Sequence, residues 1–456
     1  MIRITRLFDP IDSASLVVFR IVFGLIMLIE VFRYWLSGWI ERYYQTPEFL
    51  FKYYGFGWVQ PWPGDGMYWH FAVLGVLAVM IAAGALYRIA TVLFFIGFSY
   101  IFLLDQARYL NHFYMVMLIS LLMCLIPAHR NFSVDAWLWP RWRQRTVPAW
   151  TVWSLRLQLE IIYLYAGLVK INSDWLHGEP LSMWLARRAD YPVMGWFFSQ
   201  DWAVLIGAYG VIALHLIGAP LLLWRRTRLV VFVIYSLFHL CNAWVFNIGI
   251  FPWLTLAATL LFFDPDWPRQ LWRRLTGQPG TSVAAQPAGY RFRPVIVTVL
   301  AGWFAVQILF PLRHWLYPGN VSWTEQGHRF AWQMKLRDKA ATALFYVTDP
   351  VSGRIWRVSP KQYLTGKQVR TMAGRPDMIL QFAHYLADQW RQRGFKDVEV
   401  RASVKASLNG RPFETLIDPK RDLAAVERDL WSADWILPLT VPLDGNRRIG
   451  SGDSDD

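Results

Sequence analysis

Charge is scarce in this sequence. Only 17% of its 456 residues are Asp, Glu, Lys or Arg, against about 25% in ordinary soluble domains. With 55% hydrophobic residues and a mean hydropathy of +0.26, a water-soluble enzyme of common composition is excluded. Cysteine is scarcer still. Cys124 and Cys241 are the whole supply, and both lie in apolar runs, so neither a disulfide framework nor a paired-cysteine metal site can be built. Phosphate-loop, dinucleotide, zinc-protease and serine-elbow motifs are also missing, which removes the usual signs of nucleotide, zinc or acyl chemistry. What abounds is aromatic: 17% of residues, 27 of them Trp, a composition suited to membrane interfaces and apolar pockets.

Apolar runs near the ~20 residues that span a bilayer recur at about 14–36, 69–87, 89–105, 110–127, 152–172, 202–224, 229–247, 250–263 and 294–312. The eighth is short, so the count is eight or nine. Segments 37–68 and 173–201, rich in Trp, Tyr, Pro and Gly, separate some of them, and 277–289 is Gly/Pro/Ala-rich. The first run is too long for a signal-peptide core and lacks a cleavage motif, so no cleavable signal is expected. After Leu312 the pattern changes. Alternating runs at Ala343–Val347 and Val398–Ser407 read as strands, with turns at Asp349–Gly353 and Asn409-Gly410. A helix is predicted around Asp377–Arg393. The reading is a mainly α protein: a polytopic α-helical membrane domain of about nine spans, residues 1–312, followed by a small external α+β domain, residues 313–456, ending in an acidic stub.

The net charge of +14 must be located before it is interpreted. Residues up to Leu312 hold 24 basic and 15 acidic side chains, the rest 22 and 17, so the excess is larger in the apolar part. There it gathers at 128–151, at Arg225, Arg226 and Arg228, and at 264–293. With nine spans these loops share a side with Arg3 and Arg6, which makes the N-terminus cytoplasmic and the C-terminal domain extracytoplasmic. Topology thus accounts for the basic residues, and nucleic acid is not expected as a partner.

Ionisable residues inside spans are costly and default to functional candidates. Arg156, Glu160, Tyr163, Gly167 and Lys170 are spaced by 4, 3, 4 and 3, one stripe of the fifth helix. Arg156 and Glu160 are expected to neutralise each other as an i,i+4 pair. Lys170 has no such local acid. It either snorkels to the interface or, sharing a face with Tyr163 and Gly167, points into protein, where desolvation favours the free amine that a base requires. His112 follows Asn111 at the start of the fourth span, with Tyr114 close by, and His239 shares a stripe with Tyr235 and Asn242 in the seventh. Lone membrane histidines often serve only helix packing, but the nine-span topology puts His112 and Lys170 near the outer leaflet at one depth, with His239 able to approach. Such a cluster under an external domain resembles a reaction chamber open to quinone from the bilayer and to peptide from outside. His215 lacks a partner at matching depth for haem, and no metal is expected.

At these residues the chain resembles the vitamin K-dependent γ-glutamyl carboxylase family. The likeness runs through Asn111-His112-Phe113-Tyr114, Phe132-Ser133-Val134-Asp135, the block from Ile162 to Trp175, Phe238-His239-Leu240-Cys241-Asn242, Phe246 to Phe251 and Asp264 to Arg269. Beyond the spans it continues in Trp323-Thr324, Trp332-Gln333-Met334 and Leu416-Ile417-Asp418-Pro419, in order and over most of the chain. The family couples two reactions. A lysine deprotonates vitamin K hydroquinone, O2 converts it through a strongly basic alkoxide to the epoxide, and that base removes a γ-proton from peptide glutamate, to which CO2 adds. The resemblance implies Lys170 as the catalytic lysine and His112 as its supporting histidine. It places Asn111, Tyr114, Tyr163, His239, Asn242, Trp332 and Met334 at the quinone and substrate site. The implied co-substrates are vitamin K hydroquinone, O2 and CO2, with no metal; the implied partners are a glutamate-containing peptide or protein, the lipid bilayer and a membrane quinone. Animal members carry two adjacent lysines where Val169 precedes Lys170 here, a longer external portion and a disulfide. Gly327 replaces a bulkier residue in a segment linked to glutamate binding. These departures imply a bacterial inner-membrane member. They leave two alternatives: quinol epoxidation without glutamate carboxylation, or a non-enzymatic scaffold or transporter built on the same spans.

Overall fold

The computed structural model describes residues 4–192, 194–246, 248–277 and 293–443. The Gly/Pro/Ala-rich stretch beyond Gly277 and the acidic stub lie outside the described residues. Among the described residues a helix lies at each of the nine apolar runs: α1 (Ala14–Leu36), α2 (Gly66–Ala83), α3 (Tyr87–Leu104), α4 (Asn111–Leu125), α5 (Trp150–Leu168), α6 (Asp201–Leu222), α7 (Arg228–Phe246), α8 (Phe251–Phe262) and α9 (Arg293–Leu309). α1, α2, α3, α6, α7 and α9 with its extension to Leu316 are long and apolar enough to cross a membrane. α4 and α8 are shorter, and α5 carries Arg156 and Glu160. Exposed apolar residues recur at helical spacing, for instance Ile89, Val92, Leu93 and Ile96 on α3, as lipid-facing stripes do.

The second span starts at Gly66 and ends at Ala83, earlier than 69 and 87, for a local reason. The N–H groups of Gly84 and Ala85 bond back to the carbonyls of Ile81 and Met80 and close the helix. Both Asp135 carboxylate oxygens then accept N–H bonds from Leu86 (2.7 Å) and Tyr87 (3.0 Å), so α3 begins at once. On the same face β1 (Pro10–Asp12) pairs antiparallel with β2 (Thr146–Pro148), and Asp12 holds Arg269 at 2.9 Å.

The external domain lies at the other face. Its sheet runs β4-β3-β5-β6, all antiparallel: β3 (Lys339–Thr348), β4 (Ile355–Val358), β5 (Glu399–Leu408) and β6 (Glu414–Thr415). Val400, Ala402, Val404 and Ala406 alternate into the core beneath α10 (Gly366–Ala373) and α11 (Pro376–Gln392), the period of two expected of a one-sided sheet. Both expected strands are present, the first longer and the second shifted by one residue, and the helix expected from Asp377 begins at Pro376, where proline suits a first turn. The turn at Asp349–Gly353 is closed by an Asp349 N–H to Arg354 carbonyl bond.

Segment 37–65 forms the floor under this domain. The Gln368 amide donates to the Phe49 carbonyl (2.7 Å), Gln381 accepts from the Lys52 N–H (2.8 Å), and Phe49 packs on Tyr385. A second tie is ionic. Asp174 lies six residues past α5, buried, and takes both Arg411 nitrogens at 2.6 and 2.7 Å plus the Asn409 amide at 2.7 Å. A bidentate, fully bonded pair of this kind fixes orientation.

Candidate active site

α5 decides where Lys170 sits. A Cβ on Gly167 would lie 2.9 Å from His215 Cβ and from Leu216, so glycine alone allows α5 to cross α6 this closely. α6 opens there into a π-type turn, Leu214–Gly218, a distortion common at functional sites. α5 stops at Leu168, and Lys170 lies in the turn that follows rather than inside the helix as expected. Its N–H bonds the Gly167 carbonyl at 3.0 Å, and Asn172 caps the next short helix through the Trp175 N–H.

The expected stripe is buried along its length: Arg156, Glu160, Tyr163, Gly167 and Lys170 all lie inside protein. Snorkelling is thereby ruled out for Lys170, which is 5% exposed. Its Nζ donates to the carbonyls of Ala166 (2.8 Å) and Met334 (3.4 Å) and stands 5.1 Å from the Trp175 ring. Among the described residues no carboxylate pairs with it. Two carbonyls match the two N–H bonds of a neutral amine and leave its lone pair free.

The expected Arg156–Glu160 pair does not form. Arg156 bonds the carbonyls of Leu261 (2.6 Å) and Phe263 (2.8 Å), oxygens left open where α8 ends. Both Glu160 oxygens are buried without a hydrogen-bond partner among the described residues. A helix terminus on another span outcompeted the local acid.

Met334 reaches Lys170 because the chain after α9 returns to the bundle. Glu325, Phe330, Trp332 and Lys335 all take positive φ, between 53 and 63°, and such left-handed residues cost about 1–3 kcal/mol each and cluster where function requires them. Trp332 is fully buried, its ring 4.9 Å from Tyr114, with Phe330 5.0 Å from the same tyrosine. The Phe330 N–H donates to Tyr109 Oη (2.7 Å), whose hydroxyl donates to Asn111 Oδ1 (2.9 Å). Asn111 therefore positions the loop. The start of α4 and the end of α5 thus meet a single loop.

His112 and His239 flank Phe251, with ring centroids at 6.2 and 6.0 Å. His239 is 1% exposed; its Nε2 lies 3.3 Å from Tyr163 Oη, and its Nδ1 has no partner among the described residues. Tyr163 Oη also meets Thr259 at 2.8 Å, and its ring stacks on Tyr235 at 4.4 Å. Asn242 bonds back to the Phe238 carbonyl of its own helix at 2.8 Å. No hydrogen bond among the described residues joins His112 to Lys170. Thr259 and Phe330 carried no sequence signal, since one threonine in an apolar run and one phenylalanine in a loop are unremarked in any composition.

The sequence also hid a cationic cluster above this loop. Glu325 faces Arg337 (3.0 Å) and Lys339 (3.7 Å), with Arg329 and Arg375 nearby and two Arg329 nitrogens unpartnered. Burial, together with Arg337 and Arg375 and against the pull of Glu325, pushes the Lys339 amine down to about 7. Beside Lys170 a cleft of about 420 Å3 opens between the bundle and the external domain, lined by Tyr165, Val169, Ile171, Gln333 and Asn409 among others.

The comparisons with known proteins agree with this layout. The family model of the HTTM domain matches residues 8–267, more than half of the chain. That of the vitamin K-dependent gamma-carboxylase lumenal domain matches residues 292–441. No solved structure matches. A helical bundle of the first kind, joined to a domain of the second that returns a loop onto its buried lysine, places the chain in the vitamin K-dependent γ-glutamyl carboxylase family.

Proposed function

We propose that the protein oxidises vitamin K hydroquinone with O2 to the epoxide and uses the base so generated to γ-carboxylate peptide glutamate with CO2. The observation that carries this reading is the Lys170 amine: buried, hydrogen-bonded by two carbonyls and, among the described residues, free of any acid partner. A general base needs an accessible lone pair and a dry site. Tyr114, Phe330 and Trp332 offer aromatic faces to a naphthoquinol ring, and the Trp332 indole nitrogen and His239 Nδ1 are buried polar atoms without partners, fit to hydrogen-bond ring oxygens. The bound quinol, once oxygenated, supplies the strong base; Lys170 takes the quinol proton that starts the sequence, and His112 supports it from the Phe251 side. The cleft of about 420 Å3 is the route for peptide.

The same reading has residues 1–312 as the catalytic membrane domain and 313–456 as the extracytoplasmic one. Arginines at the face bearing β1 and β2 support a cytoplasmic position for that face. A bacterial inner membrane is the proposed location.

Epoxidation alone is the second reading. Gly327 sits with its would-be Cβ 2.6 Å from the His314 backbone, so no side chain projects there. Reconstituted protein supplied with reduced vitamin K, O2, labelled bicarbonate and a glutamate peptide is expected to yield epoxide and acid-stable label in parallel. Epoxide without label selects the second reading; neither product, with solute moved across vesicles instead, refutes both in favour of a transporter.

A further inference from the structure

The face opposite the external domain holds a second cavity that the reaction does not use. It measures about 340 Å3 and lies between the α2–α3 turn and the segment after α4, lined by Arg88, His129, Arg130, Arg141, Trp139 and Trp142 with Leu86 and Ile89 at its edge. Three guanidiniums face one carboxylate, Asp135, and both its oxygens are already taken by the Leu86 and Tyr87 N–H groups. Arg88 spends one nitrogen on the Cys124 carbonyl (2.6 Å) and Arg130 one on Gln144 (2.5 Å), so each keeps donors for another acceptor.

A buried polar atom independently marks the site. His129 is 8% exposed, stacks on Tyr87 at 5.3 Å, and its Nδ1 has no hydrogen-bond partner among the described residues. Burial, then the Arg88 charge, holds its imidazole down to about 4, so the positive charge here is all guanidinium. Such a pocket selects a phosphate. Leu86 and Ile89, 48% and 57% exposed, continue directly into the lipid-facing stripe of Val92, Leu93 and Ile96, which gives that phosphate two apolar chains to bring with it.

We infer that this pocket binds the phosphate of an anionic phospholipid, headgroup among Arg88, Arg130 and Arg141 and acyl chains along α3. Basic pockets at helix ends on the cytoplasmic side bind such headgroups, and each basic residue near the surface contributes several-fold to affinity.

The test is native mass spectrometry of the purified full chain titrated with phosphatidylglycerol, phosphatidylcholine or inorganic phosphate. Phosphatidylglycerol is expected to bind tightest. The pair Arg130→Gln/Arg141→Gln is expected to lose about 25-fold of that affinity, and Arg143→Gln/Arg145→Gln, exposed and outside the pocket, less than about twofold. If the pocket pair fails to fold, Arg141→Gln alone, an exposed side chain, is expected to lose about fivefold. Equal binding of the two lipids, or equal loss in both pairs, overturns the site. Inorganic phosphate binding as tightly as the lipid, with the same arginine dependence, overturns the lipid assignment.

Discussion

Trp332 and Lys170 reach one loop from opposite sides of the chemistry, and each is defined by what its polar atom lacks. The Trp332 indole nitrogen is buried with no acceptor among the described residues, a cost of about 1–3 kcal/mol unless substrate supplies one. Trp332→Phe keeps most of the packing on Tyr114 and removes the donor. It is expected to raise KM for the quinol about 5- to 30-fold while leaving the thermal midpoint within a few degrees; a midpoint that collapses with KM unchanged would show the indole to be packing alone. The Lys170 stripe was readable from spacing, because a period of 3.6 places Arg156, Glu160, Tyr163, Gly167 and Lys170 on one face. Their partners were not readable. Arg156 chose two carbonyls 105 and 107 residues away, and no local rule weighs a distant helix end against an acid one turn off.

Elements transmit position to these residues. A Cβ at Gly167 would meet α6 at 2.9 Å, so Gly167→Ala is expected to cost about 1–3 kcal/mol by overpacking and to lower kcat by shifting the turn that carries Lys170. Unaltered activity and thermal midpoint would mean that the crossing has slack. The Asp174–Arg411 pair is the stronger tie between bundle and external domain. Asp174→Asn strands a buried guanidinium, for about 3–5 kcal/mol, and hydrogen exchange should rise at Ser173–Leu176 and at Asn409–Arg411 together. Exchange rising at one side only would show that the pair does not couple them. Spans, strands and the helix of the tail were legible from hydrophobic period. The returning loop at 325–335 was not, since its left-handed non-glycine residues contradict local preference and exist only because the bundle and sheet hold both ends.

At the scale of the whole molecule, the external domain carries its own titration. Lys339 keeps its proton to about pH 10.4 in an unfolded chain but only to about 7 in the fold. The unfolded state therefore binds the extra proton between those values, and stability rises with pH across that window. Lys339→Met is expected to flatten the rise in thermal midpoint between pH 7 and 9.5, and equal slopes in both proteins would contradict the assignment. The architecture itself, an apolar bundle with a soluble domain seated over one face, followed from the distribution of charge as much as from hydropathy. The +14 excess resolved largely into the apolar part, much of it as arginines at the far face, while the cluster around Glu325 arises only when loop and sheet converge. The central claim is that one of these many cations is a base. Lys170→Ala, reconstituted with reduced vitamin K and O2 after its fold has been checked by thermal midpoint, is expected to form epoxide at least about 100-fold more slowly than the unaltered protein. Epoxide formation within a few fold of the unaltered rate would contradict it.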